Sequence, residues 1–426
     1  MSDSESLPSS ASVASSPSGH GHGHSHGAAL GKFRVPGSLL RVRDGHEARV
    51  SFVELFFDLI YVFAVTQLSH HLLHDLSVLG ALETLVLMFG VWLAWQYSCW
   101  ITNWFDPETK PVRLMLFGIM LAGLVMAAAI PHAFKNGGLA FAISYVLIQV
   151  GRTLFCLAHL KKGHELTPNF QRMLGWLVIS AVFWLSGAFA SGGARLALWA
   201  VAVCCEYFSP MFGFWLPKLG RSRTSEWTVE GGHIAERCQL FVIVALGECL
   251  LITGATLSTA NHFDSSLVIA FLAAFVGSLA MWWVYFDTSS KDGSEAIVHS
   301  SDPGRIAAYY HYTHVTMVAG IILNAVASEL VVAHPHGHTT LTSALVLGLA
   351  NVFYLGGNAL YKTVVYGRVP RSHVVAVLVQ LALIPVFMRW HLATAGAVAT
   401  ALLLVVAVWE GLCVKRVVGD AVKIRN

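Results

Sequence analysis

The chain has 426 residues, of which 55% are hydrophobic and only 12% charged, with a formal net charge of +3. A soluble domain carries about 25% charged residues, so this chain lacks the polar surface to cover a water-soluble globule and must be covered by lipid. That excludes a soluble enzyme or a nucleic-acid-binding protein, since the longest interior loops, Pro217 to His233 and Thr288 to Gly304, are too short to house either.

Residues 1–48 are rich in His, Ser and Gly and have no apolar run, so they are neither a signal peptide nor a helix and read as a disordered cytoplasmic tail. Apolar stretches of about 20 residues, long enough to cross a hydrocarbon core of about 30 Å, then follow one another. They run near Phe52 to Leu72, Val78 to Cys99, Leu114 to Pro131, Leu139 to Ala158, Met173 to Ala190 and Leu196 to Leu216. A polar linker over 217–234 separates these from a second set, near Ala235 to Leu257, Leu267 to Phe286, Ile306 to Val332, Leu341 to Val365, Val374 to Met388 and Leu392 to Val414. The expected fold is an all-α integral membrane protein of about twelve transmembrane helices, with repeats over 49–216 and 235–426.

Lys and Arg gather on the cytoplasmic ends of a correct helix map. Of the 27 here, all but Lys135, Arg195, Arg389 and the intrahelical Arg152 fall on one side, which places both termini in the cytoplasm and the chain in the plasma or inner membrane. The two sets also resemble each other. The second helix ends "WITNWFDP" and the eighth "MWWVYFDT"; the fourth carries "YVLIQVGRTLF" and the tenth "VFYLGGNALYK". Six helices per repeat give the halves the same orientation, with a pseudo-two-fold axis along the membrane normal.

Ionisable side chains within the bilayer cost several kcal/mol unless paired or wetted, and are functional candidates by default. Glu54 and Asp58 stand four apart in the first helix and so share a face; two carboxylates there need a cation or a shared proton. The seventh helix has Glu236 and Arg237 at its start and Glu248 three turns further in, nearly on the face of Arg237. Arg152 and Glu206 lie similarly deep in the fourth and sixth. These seven either line a path for a proton, ion or substrate, or form closed ion pairs such as Glu54 or Asp58 with Arg152. His20, His22, His24 and His26 alternate in the tail, a tract that binds Zn, Ni or Cu loosely. The seven cysteines lie in or beside apolar runs and read as packing residues. No phosphate-binding loop, metalloprotease motif or hydrolase elbow is present, and no cofactor is called for.

"RVSFVELFFDLIYVFAVTQLSHHL" from Arg49 and "HIAERCQLFVIVALGECLLITGATL" from His233, with the closing "WWVYFD", resemble the bacterial low temperature requirement A membrane proteins over about Arg43 to Val414. The resemblance implies a polytopic helical membrane protein and singles out Glu54, Phe57, Asp58, Glu236, Arg237, Gly247 and Glu248. The family is named for growth in the cold, which specifies no substrate. "FFDLIYVFAV" is also similar to a helix of endolysosomal potassium channels with two six-helix repeats.

The leading expectation is therefore a secondary transporter of a small solute or ion, coupled to protons or cations and not an enzyme, with Arg152 and Arg237 competing for the same carboxylates. A cation channel and a non-transporting membrane factor for cold adaptation stay open beside it. The expected partners are the lipid bilayer and the solute or ion, with a homo-oligomer left open and nucleic acid excluded.

Overall fold

A backbone surrounded by lipid has to satisfy its polar groups internally, and a helix does so within one segment. The computed structural model describes residues 38–43, 48–260, 264–287, 292–298 and 300–425. Among them only isolated bridges interrupt an otherwise helical chain. The long helices are α1 (Phe52–His74), α2 (Val78–Trp104), α3 (Lys110–Ala129), α4 (Gly138–His159), α5 (Thr167–Phe189) and α6 (Gly192–Met211), then α7 (Gly231–Ser258), α8 (Ser265–Phe286), α9 (Pro303–Ala333), α10 (Leu341–Tyr366), α11 (Arg371–Phe387) and α12 (Leu392–Arg425). Ten are long and apolar enough to cross a membrane. The exceptions are α6, which carries Arg195 and Glu206, and α11, which has 17 residues.

Several sequence expectations are corrected. Helix α6 ends at Met211 rather than Leu216, because Pro210 removes a backbone donor in its last turn and the chain then bends through Phe214 and Lys218 at φ 51° and 69°. Helix α5 starts at Thr167 instead of Met173, with Pro168 in its first turn. A short helix, Asp292–Val298, occupies part of the loop expected after α8. Residues 39–41, assigned to the tail, are held against the end of α2: Asp106 N donates to Leu39 O and Arg41 N to Trp104 O, both at 2.8 Å. The His20 to His26 tract lies outside the described residues.

Helix ends are set by local chemistry. Ser77 Oγ accepts from Gly80 N (3.1 Å), and Thr340 Oγ1 from Ser343 N (3.3 Å). Asp264 Oδ1 accepts from Leu267 N (2.8 Å), which with the His336 ring holds this exposed carboxyl below its ordinary value. That cap therefore persists above the ordinary carboxylate range and fades as pH falls through the lowered value. The buried Arg195 guanidinium donates to the carbonyls of Gly187, Ala188 and Ala190 at the end of α5, and to those of Ala133 and Lys135 in the loop before α4. A cation at a helix C-terminus is favoured by the orphan carbonyls there.

Within the first set, α1 packs on α2 and α3, α2 on α6, α3 on α4, α4 on α5, and α5 on α6. In the second, α7 packs on α8 and α9, α8 on α12, α9 on α10, α10 on α11, and α11 on α12. The sets touch through α1, α2, α7 and α9. The approach of α9 to α10 is close: a Cβ at Gly320 would lie 2.5 Å from Tyr354 N, and one at Gly357 2.7 Å from Met317 N. Small residues permit such backbone proximity in membrane helices. Gly320→Ala should therefore destabilise the protein by about 1–3 kcal/mol through overpacking, whereas Gly356→Ala, with nothing within 4 Å, should not; thermal unfolding of the two purified variants compares them.

Candidate functional site

Helices α1 and α7 pack together, and the face they share is charged. Helical periodicity sets Glu54 and Asp58 one turn apart on α1, and His233 and Arg237 one turn apart on α7. All four are buried. Arg237 spans both acids, its Nη1 donating to Glu54 Oε1 (3.1 Å) and its Nη2 to Asp58 Oδ1 (2.6 Å). The guanidinium also lies 5.6 Å from the Phe57 ring centroid and 5.9 Å from that of Trp95, close enough for cation–π attraction.

The two carboxylates are satisfied unequally. Glu54 Oε1 also faces His233 Nε2 at 2.8 Å, and its Oε2 accepts from Arg41 Nη2 (3.1 Å), Ser51 N (2.9 Å) and Ser51 Oγ (2.9 Å). Asn103 Nδ2 sits 3.2 Å from His233 Nδ1. A neutral ring with the proton on Nε2 satisfies Glu54 and Asn103, while Arg41 Nη2 also stands 3.2 Å from that nitrogen. Two carboxylates then face two guanidinium groups, and the buried charge balances. Asp58 Oδ1 takes a second donor, Trp95 Nε1, at 2.7 Å, while its Oδ2 has no partner. Arg237 Nε, Tyr61 OH one turn beyond Asp58, and His311 Nε2 are likewise buried without partners; the His311 ring lies 5.9 Å from that of Trp95. Asn103 further clamps the chain ahead of α7, donating to Glu230 O and accepting from Glu230 N, each at 2.9 Å.

A second cluster lies against a neighbouring face of α2. Arg152 donates to Ala94 O (3.1 Å), Ser98 Oγ (2.7 Å) and Gln149 Oε1. Gln149 Nε2 passes the connection on to Glu206 Oε2 at 2.7 Å. Tyr145 OH donates to the same oxygen (2.7 Å), and Ser180 Oγ (2.5 Å) and Trp184 Nε1 (3.2 Å) to Oε1. Neutral donors thus hold Glu206 without a cation in direct contact. An ion pair of Arg152 with Glu54 or Asp58 is not found among the described residues: its guanidinium is taken up by Ala94 O, Ser98 Oγ and Gln149 Oε1, and on α1 it lies near Tyr61. A π turn, Leu147–Gly151, immediately precedes Arg152. In the second set, Lys362 pairs with Glu410, whose Oε1 also meets His373 Nδ1 and Ser372 Oγ at 3.1 Å.

Glu236 accepts from Val50 N at 3.0 Å and fixes the approach to α1. Glu248 is 4% exposed, and among the described residues no hydrogen bond or ion pair reaches it. It does not pair with Arg237: eleven residues of helix set their backbones about 16 Å apart. No group of three or more His, Cys, Asp or Glu among the described residues is placed to hold a metal ion.

The model of the bacterial low temperature requirement A protein (LtrA) family matches residues 49–408. The chain belongs to the LtrA family. A relative in Rhizobium meliloti (strain 1021), itself uncharacterized, is 37% identical over 382 residues, covering 88% of this chain and 92% of that protein. No solved structure matches. The LtrA match includes the acids and Arg237 and stops short of Arg41 and Glu410.

Sequence reasoning missed most partners of these charges. His233 was detectable, four residues before Arg237 and hence on its face. Asn103 lies in the repeated "WITNWFDP" end. Trp95 and Gln149 carry no charge and stand out from no pattern. Lys362, counted at one end of its helix by charge, is buried there against Glu410. Arg237→Gln should cost about 3–5 kcal/mol by leaving two buried carboxylates without their shared cation. Adding Asp58→Asn should recover about 1–3 kcal/mol of that, read as a coupling energy in chemical unfolding; strict additivity would contradict the pairing.

Proposed function

We propose that this LtrA-family membrane protein is a secondary transporter of a small solute or ion, driven by protons or another cation, with α1 and α7 as its moving contact. It would comprise about twelve spans in two parallel six-helix repeats, in the cell membrane with both termini cytoplasmic. Helix α11, 17 residues and so about 26 Å long, and α6 would complete the count. The repeat is supported by the six helix pairings that recur between the sets. A chemical pattern recurs as well: the fourth helix of each set supplies a cation (Arg152, Lys362), the sixth a Glu (Glu206, Glu410), and the fifth a Ser bonded to that Glu (Ser180, Ser372).

The observation that carries the transport reading is that a charged cluster where the two sets meet holds buried atoms without partners, as other parts of the bundle also do. A purely structural ion pair is worth its desolvation only when its remaining donors and acceptors are satisfied. Here Asp58 Oδ2, Arg237 Nε, Tyr61 OH and His311 Nε2 are not. Asp58 is the group to take up a proton, on Oδ2. Neutralising it removes one of the two anions that hold Arg237 while Glu54 keeps the other, which loosens α1 from α7 without separating them. Glu248, deeper on α7, is the second exchange group.

In proteoliposomes on a solid-supported membrane, a gradient of protons, Na⁺, K⁺ or a divalent cation should drive a transient current. Asp58→Asn should abolish it, and Glu248→Gln should reduce it by about tenfold or more. Silence of the folded wild-type protein under every gradient would reject transport. A current that does not saturate would favour a channel. A non-transporting membrane factor has one observation in its favour, the complete set of donors around Glu54.

A further inference from the structure

A separate cavity lies beside the charge site, between α2, α5 and the end of α6 on one side and α9 and the segment before α7 on the other. It is partly open and holds about 510 Å³ of empty space, its opening included. It follows α2 from Trp104, the last residue of that helix, to Gln96, eight residues or about 12 Å inward. The walls include the rings of Trp100, Trp104, Phe170, Phe214, Trp227 and Tyr312, and no Lys, Arg, Asp or Glu lines it. Neighbouring rings stand steeply to one another, Trp100 to Trp227 at 81° and Trp104 to Phe170 at 75°. That arrangement makes the sides of a box, not a slot for stacking. At the inner end Gln96 is 7% exposed, and its Oε1 is buried without a hydrogen-bond partner.

We infer that this cavity binds an organic cation, a quaternary or substituted ammonium whose charge is spread over carbon substituents. Ring faces present the negative side of their quadrupole and attract such a cation when it is desolvated. Gln96 Oε1 adds an acceptor that no protein donor occupies. A small metal ion would lose its hydration for a few neutral oxygens, and an anion would meet ring faces and neutral amide and hydroxyl donors with no cation among the lining residues. The binding site stands on these features whether or not the chain transports. Trp100 also leads towards the charge site: its ring lies 5.9 Å from that of His311, which lies the same distance from Trp95, the donor to Asp58.

The test compares choline with 3,3-dimethylbutan-1-ol, in which carbon replaces the charged nitrogen, by calorimetry and tryptophan fluorescence on the purified full chain in nanodiscs. Choline should bind at least about tenfold more tightly than the alcohol. Trp227→Ala should weaken choline about tenfold, and Gln96→Met should weaken it while leaving the alcohol unchanged, in variants that keep the wild-type melting temperature. Equal binding of choline and the alcohol would overturn the inference, as would no saturable choline binding at millimolar concentration. Should Trp227→Ala fail to fold, the comparison of the two ligands on the unaltered chain decides the question.

Discussion

One guanidinium holding two carboxylates is the constraint on which the rest of the arrangement depends. Arg237, Glu54 and Asp58 are each expensive to bury alone, and together they are tolerable only if α1 and α7 keep the register that joins them. That register brings the first helix of each set side by side. Everything close to the contact then serves it: Ser51 and Arg41 complete the environment of Glu54, Trp95 supports Asp58, and Asn103 fixes both His233 and the backbone at Glu230.

Helix α2 connects these features. Its Trp95 faces Asp58, its Ala94 carbonyl and Ser98 face Arg152, and its Gln96 and Trp100 face the aromatic cavity. One helix thus contributes to all three environments, and its bulky indoles do so without introducing further charge. Arg152 reaches Glu206 only through Gln149, and neutral donors hold the carboxyl.

The membrane class, most helix positions and the intramembrane placement of Glu54, Asp58 and Arg237 were legible in the sequence. Lipid leaves few options for long apolar runs, and a charge among them is conspicuous. What was not legible depends on which helices touch. Periodicity places Arg237 and Glu248 on one face of α7, yet says nothing of the helix that face meets, so the partner of Arg237 turned out to be two acids on α1 rather than Glu248. The neutral partners, Trp95, Tyr145, Gln149 and Ser180, look like ordinary packing residues until distances are known. Arg41 was hidden for another reason: polar, glycine-rich surroundings suggested a tail, whereas backbone bonds to the end of α2 fix Leu39 to Arg41.

The distance in sequence between Asp58 and Arg237, 179 residues, has a consequence for biosynthesis. At about 5–20 residues per second, the ribosome completes α1 roughly 10–35 seconds before it makes the cation that neutralises it. During that interval α1 carries two carboxylates with only Arg41 at hand. It must therefore enter the bilayer protonated, or wait in the polar surroundings of the insertion machinery until α7 emerges. The pair that fixes the finished protein thus also imposes an order on its assembly: the first helix to be made is among the last that can settle.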